Sequence, residues 1–476
     1  MIFDKTRKKL KAFMGESPRA KKMILYANLW VTPLYYTVAA ILLFVLATLA
    51  DQHWNLAQYL PLPISIEYQL TQTLLSTLTS GILSLTTFTF YGVLSALTTF
   101  SAQFSPRILK NFMMNNVTQR TLGIFIGSFH YVLLSLLFIT QETSFFFIPM
   151  IATILAVVST ATFIIFINHI VTWLQVTNMT DNMKQESTII AKNLLVREMD
   201  NYRVNHVEKI AHQIPETKGQ PIIVAESGYI QTINFINIVK EAKKDNVIIQ
   251  LEYKVGNYAF ESTPLFTFWK YGDDPVDVAK YLDLVQIGRN QNEVQDIEYS
   301  FNKLVEIAIR AIGNNDPKTA TRTVYQIGDL LIKISEIAMF TPYLADNQGD
   351  LRLIIQNLNF RDYLYIGLAS IRHYARKNVI LTEEILKVLS AVAKVKRVED
   401  HESIWEFAEY TTRSLEVNFI HALDREKLYT TLLDIAHTTG KEEQYNKLVR
   451  KMTEVITDKD DLEEIKRKIP MNSYEA

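Results

Sequence analysis

Cysteine is absent from the 476-residue chain. That excludes disulfides, thiolate metal sites and a cysteine nucleophile. Phosphate-cradling glycine patterns are missing too: there is no Walker motif and no GxGxxG, and Gly440-Lys441 lacks both the preceding loop and the following Ser or Thr. His206 and His212 stand six apart, on different sides of a helix, and so do not form a metal pair. No nucleophile, base and metal constellation emerges, so the chain does not read as an enzyme, and no metal or cofactor is expected. Basic residues are not clustered with aromatics in the way nucleic-acid binding requires, so that partner class is set aside.

Charge is scarce in one half of the chain only. The net charge of −1 conceals 11 basic and 5 acidic side chains in residues 1–180, with the acidic excess in the remainder. From Thr71 to Phe104 there is no charge at all. As a helix this stretch would be roughly 50 Å long, beyond a hydrocarbon core of about 30 Å. Its polar groups are ordered. At about 100° per residue, Thr77, Ser80, Ser84, Thr87, Tyr91, Ser95 and Thr98 all fall within roughly 40° of Thr73, forming one hydroxyl stripe. The opposite face carries Leu75, Leu78, Ile82, Leu85, Val93, Ala96 and Phe100, with Thr86 and Thr89 as exceptions. Two readings follow: a closely packed helix seam, or the wall of a hydrated conduit.

Three further apolar runs make four spans, at about 30–50, 71–104, 122–140 and 145–177. The first follows a basic segment, 1–29, with Lys5, Arg7, Lys8, Lys9, Lys11, Arg19, Lys21 and Lys22. Its apolar run is too long for a signal peptide, and Thr48-Leu49-Ala50-Asp51 is a weak cleavage site. Lys110, Arg107 and Arg120 occupy the connection after the second span, whereas the loops on the other side carry no Lys or Arg. The positive-inside rule then puts both termini in the cytoplasm of a multi-pass cell-membrane protein. With single cysteines introduced, an impermeant thiol reagent on intact cells should label Gln58→Cys and spare Lys110→Cys. The reverse pattern would overturn the orientation. Arg107 and Lys110 would then lie at the cytoplasmic mouth of any path along the stripe.

The third span opens with Gly123-Ile-Phe-Ile-Gly127, a GxxxG spacing that permits close helix contact. By span ends, His130 and His169 should lie at similar depth, roughly 13 Å in, as a titratable pair or as imidazoles bonded to neighbouring hydroxyls. Beyond Asp181 the pattern turns charged and amphipathic: Ile189, Ile190, Leu194, Leu195 and Met199 suit a helical connector, 181–218, continuing the fourth span. Strand-like runs at 222–225, 229–233, 247–253 and 265–268, with a helix at 234–244, mark a small α/β module over 219–271. Gly228-Tyr-Ile-Gln with Val255-Gly-Asn-Tyr is barrel-sandwich-like, without the lysine that carries a prosthetic group. From 272 to 476 the periodicity is helical, with no fixed-period repeat, though paired antiparallel helices would fit. Asp316-Pro317 reads as an N-cap followed by Pro at the first helical position.

Several blocks carry a resemblance. They are Ser101-Ala-Gln-Phe-Ser-Pro-Arg107, Leu122 to Phe129, Ser227-Gly-Tyr-Ile-Gln-Thr-Ile233, Val255 to Tyr258, Pro264-Leu265, and the run from Asp296 through Asn315-Asp-Pro-Lys-Thr-Ala320. Together they resemble a bacterial family of predicted membrane proteins catalogued only as a domain of unknown function. The chain departs from it before the Asn-Asp-Pro, where it has only Gly313-Asn314. The resemblance implies a membrane protein with a cytoplasmic C-terminal region and supplies no activity.

The expected fold is therefore mainly α: a four-helix transmembrane domain over 30–180, the α/β module, and a helical cytoplasmic domain. Two function classes stay open. One is a channel-like homo-oligomer in the bilayer, its striped second helix lining a path for an ion or small solute. The other is a membrane-anchored scaffold or sensor whose cytoplasmic domain binds a protein or small ligand.

Overall fold

The computed structural model describes residues 31–54, 68–103, 115–140, 145–175, 180–181, 184–185, 188–189, 200–204, 208, 210–271, 275–289, 291, 297–337, 341–356, 358–395, 398–413, 415 and 421–454. The chain divides into two compact units, Met1–Asn178 and Met179–Ala476.

Four apolar helices build the first unit: α1 (Val31–Trp54), α2 (Tyr68–Gln103), α3 (Asn116–Phe138) and α4 (Phe147–Leu174). All four are long and apolar enough to cross a membrane. α3 starts earlier than the hydropathy suggested, because Asn115 caps it: its Oδ1 accepts from the Val117 N–H at 2.8 Å, and Arg120 lies inside the helix. α4 ends at Leu174, with Gln175 extended as its C-cap.

The core of this bundle explains the two glycines. A Cβ on Gly123 would lie 2.5 Å from Tyr36 Cδ2, and one on Gly127 would lie 3.0 Å from the Tyr36 carbonyl oxygen. Both positions must therefore be bare for α1 to lie against α3. A hydrogen bond from Thr32 Oγ1 to Gln119 Oε1, 2.8 Å, fixes the same pair of helices. Phe44, Tyr131, Leu75, Ile82 and Ile148 fill the space between the four.

In the second unit the expected strands form β1 (Gln220–Ile223), β2 (Gly228–Ile233), β3 (Val247–Leu251) and, after the two-residue β4 (Tyr258–Ala259), β5 (Pro264–Lys270). The expected helix is α5 (Phe235–Lys244), capped by Asn234. The module also draws in chain from beyond 271. After a single turn, α6 (Ala279–Leu282), β6 (Val285–Gly288) pairs with β2, and β7 (Tyr343–Ala345) and β8 (Leu351–Ile354) add to β3. The result is a five-stranded sheet in the order β1-β5-β3-β8-β7 and a three-stranded one in the order β4-β2-β6. The Gly228–Gln231 and Val255–Tyr258 segments meet in the smaller sheet, where Gly228 pairs with Ala259 and Tyr229 with Tyr258. β3 and β8 are parallel, which requires the long crossover that α7 and α8 supply. Arg352 of β8 donates through Nε to Oδ2 of Asp346, the residue after β7, at 3.0 Å, and both are buried.

The remaining helices are α7 (Ile297–Gly313), α8 (Pro317–Ile337), α9 (Phe360–Ala375), α10 (Val379–Val395), α11 (His401–Arg413), α12 (Ala422–Thr439) and α13 (Glu442–Glu454). α7, α9 and α11 touch in succession, and so do α8, α10 and α12. The arrangement is thus a two-layer stack of helix pairs, as paired antiparallel helices would give. Asp316 caps α8 as expected, its Oδ1 accepting from the Thr319 N–H at 3.1 Å. Gly440 is a left-handed C-cap of α12 with φ 68°, which accounts for its place before Lys441.

Candidate functional site on the second membrane helix

The apolar face of α2 is the one that packs. Leu75, Ile82, Val93 and Ala96 are buried, and Leu78 and Leu85 half-buried, against the other helices of the bundle. Gly92 brings α2 close to α4, where a Cβ would meet Ile170 Cδ1 at 3.3 Å. Thr86 and Thr89 on this face donate to the carbonyls of Ile82 and Leu85 and so enter the core satisfied.

The stripe points the other way. Thr73, Thr77, Ser80, Ser84, Thr87, Tyr91, Ser95 and Thr98 are all exposed on the outside of the single-chain bundle. It is therefore not the seam between helices of one protomer. Along it, Thr73, Thr77, Ser80, Ser84 and Thr87 each donate to the carbonyl four residues back, at 2.8–3.1 Å, and Thr98 donates to Ser95 O. The hydroxyl protons are thus spent on the helix's own backbone, and the oxygens face outward as acceptors. Beside the stripe α2 also exposes Leu83, Phe88 and Leu94. α1 presents Leu34, Val38, Leu42 and Leu46, and α4 presents Ile154, Val157, Ile164 and Ile165 with Thr153, Thr160 and Asn168 among them, so the outward hydroxyls are densest on α2. Arg107 and Lys110 lie outside the described residues.

His130 and His169 are not brought together. His169 Nε2 lies 3.5 Å from Thr118 Oγ1, near the start of α3, and its ring is edge-on to Trp173. His130 is twelve residues further along α3, a rise of roughly 18 Å, and its Nδ1 bonds the Ile126 carbonyl at 2.7 Å. Equal depth followed from starting the third span at Leu122 and ending the fourth at 177. With α3 beginning at Asn116 and α4 ending at Leu174, one imidazole is deep and the other near the helix end.

The bundle also contains a group the sequence reading passed over. Asp51, in the last turn of α1 and 8% exposed, accepts from three consecutive backbone N–H groups: Phe146 at 3.1 Å, Phe147 at 2.9 Å and Ile148 at 3.1 Å. It is the N-cap of α4, supplied from another helix, and its charge complements the positive end of that helix's dipole. Its signal was a carboxylate at the end of an apolar run, on a loop side with no Lys or Arg to pair with it.

At the start of the second unit, Asp181 bonds Arg322 at 3.2 Å and also Gln326, and Lys184 pairs with Asp329 at 2.7 Å. The connector residues are thereby held along α8. Burial tends to raise the Asp329 carboxyl, but Lys184 and Lys333 hold it below the usual carboxylate range. Ile190, Leu194, Leu195 and Met199 fall outside the described residues, as does the 1–29 segment.

Residues 26–391 match the family model described as DUF2254, predicted membrane protein, and the chain belongs to that family. The uncharacterized protein Rv1290c of Mycobacterium tuberculosis and the uncharacterized protein Mb1321c of Mycobacterium bovis are each 28% identical to it over 330 residues, covering 66% of this chain and 63% of the relative. The chain thus spans 63% of the length of these curated relatives. No solved structure matches it. Family and helices together make this a membrane protein with four candidate spans.

Proposed function

We propose that this family member is a channel-like homo-oligomer in which α2 helices from neighbouring copies turn their hydroxyl stripes toward a shared path for an ion or small solute. One observation carries the reading: the eight stripe residues are all exposed on a helix whose apolar face is already used inside the protomer. Back-bonding lowers the cost of setting these hydroxyls against hydrocarbon. It does not make them the surface that α1 and α4 turn outward. A wall shared between copies, wet or closely packed, suits them better. In this reading the N-terminal segment, the 104–114 connection and the second unit are cytoplasmic, following the Lys and Arg distribution. The second unit then assembles or gates the oligomer.

The alternative is a membrane-anchored scaffold or sensor. The two-layer helix stack favours it, since such stacks expose extended surfaces on which partners dock.

Leucine substitutions in the stripe separate the two. If the stripe lines a hydrated path, Ser84→Leu or Thr87→Leu should reduce ion flux in liposomes by creating a dewetting constriction while the assembly persists. If it is a packed seam between copies, the same changes should dissociate the oligomer, with overpacking costs of about 1–3 kcal/mol per site. Leu85→Ile on the inner face is the conservative control. Wild-type protein that carries no ion under any voltage, pH or tension, with both leucine variants dissociated, would exclude the path.

A further inference from the structure

Large apolar side chains scattered singly over a protein surface are ordinary, whereas a contiguous group of them calls for an explanation. The second unit has such a group on its smaller sheet. Tyr229 of β2 stands opposite Tyr258 of β4, their ring centroids 5.0 Å apart and nearly perpendicular, and Phe260, just beyond β4, meets Tyr258 edge-on at 5.1 Å. Tyr258 is 41% exposed and Phe260 61%. The Tyr229–Tyr258 contact is a cross-strand pair of the kind that holds a sheet together. Phe260 lies outside the ladder, so strand pairing does not account for it.

Two further features adjoin this row. Hydrogen bonds from the Ser262 N–H to Val224 O, 3.0 Å, and from the Val224 N–H to Thr263 O, 2.8 Å, bring the end of β1 alongside the segment after Phe260, and with it the exposed Ile223. The Glu261 N–H donates to Ser227 Oγ at 2.8 Å, which sets the exposed Glu226 and Glu261 in adjoining turns. Neither carboxylate is in an ion pair among the described residues. Lys254, on the loop before β4, is already paired with Glu298. The patch is therefore aromatic, apolar and negative.

We propose that Tyr258, Phe260 and Ile223, flanked by Glu226 and Glu261, form a docking surface for a basic segment of a partner protein. Charge complementarity selects the partner. Carboxylates repel phosphate and anionic lipid and attract Lys and Arg, whose aliphatic stems cover apolar surface while the cation rests on a ring. The same unit makes this contact within its own chain. Lys280, Lys303 and Arg372 lie over the rings of Tyr281, Tyr299 and Tyr410, at 5.2, 5.2 and 3.8 Å, whereas among the described residues no cation lies over Tyr229, Tyr258 or Phe260. At the patch the cation must come from outside. The surface belongs to the second unit alone and does not depend on what α2 lines.

Fluorescence anisotropy of a short labelled peptide of alternating Arg and Ser, titrated with the full-length protein in nanodiscs of neutral lipid, tests the surface. Saturable binding is expected, while a peptide of alternating Glu and Ser stays free. Phe260→Leu keeps an apolar side chain and removes the ring, and should weaken binding about fivefold. Glu226→Gln combined with Glu261→Gln should weaken it by a similar factor and flatten its dependence on salt. All three positions are exposed, so melting temperatures should stay unchanged and loss of fold is not confused with loss of binding. Binding unaltered by either Phe260→Leu or the double Gln variant, or an acidic peptide that binds as well, would overturn the site. So would the absence of saturable binding up to about 0.1 mM protein. Either failure would remove this patch and leave the helix stack, and with it the scaffold reading, untouched.

Discussion

Asp51→Ala should produce the largest loss of stability of any single change in the membrane unit. Three N–H groups at the start of α4 lose their acceptor at once. Each unsatisfied buried donor costs about 1–3 kcal/mol, so the total is on the order of 3 kcal/mol or more, enough to unfold a marginal bundle. Asp51→Asn separates the contributions. It can keep an oxygen for Phe146 and Phe147 but loses the charge facing the helix dipole and turns an amide toward Ile148, an intermediate loss of roughly 1–2 kcal/mol. Melting of the purified variants should follow the order wild type, Asn, Ala. Alanine tolerated within about 0.5 kcal/mol would show that the cap is incidental.

The second large effect is expected at the two glycines, and it differs in kind between them. At Gly123 the obstacle to a Cβ is the Tyr36 ring; at Gly127 it is the Tyr36 backbone. Gly123→Ala and Gly127→Ala should each destabilise the bundle by about 1–3 kcal/mol through overpacking. In a Tyr36→Ala background the cost of Gly123→Ala should disappear, because the ring is gone. The cost of Gly127→Ala should remain, because a carbonyl cannot be mutated away. Unfolding measurements on this double-mutant cycle decide the matter. Equal rescue of both alanines would mean that α1 simply moves aside and that the GxxxG spacing is not what sets its distance from α3.

Both features test how far a sequence can be read. The spans were legible because uncharged runs of this length have few alternatives in a folded chain, and the hydroxyl stripe because it repeats at helical period over some seven turns. Which face of α2 turns inward was not legible. Packing and lining use the same residue types, and only the positions of α1, α3 and α4 show that the aliphatic face was taken within the protomer. Asp51 was hidden for a different reason. Its partners are backbone N–H groups nearly a hundred residues away, and backbone leaves no mark in a pattern of side chains. The histidine pairing failed on helix ends, since Arg120 looked like a loop residue and Asn115 turned out to be the cap. In the second unit, β7 and β8 were missed because each is very short, and because they sit between two strong helices whose period dominates that region.

The stacked helix pairs carry a mechanical consequence. Each pair rests on its immediate neighbours, so the stack has no single centre whose loss would bring down the whole, and its cohesion is a sum over successive interfaces. α13 leans on α12 alone among its closer neighbours, whereas α7 is gripped by α8 and α9 together. A body built this way bends like a leaf spring. Load applied at one end is shared as small slips between leaves, and the far end can peel and reseat while the end that carries Asp181 and Lys184 on α8 stays in place.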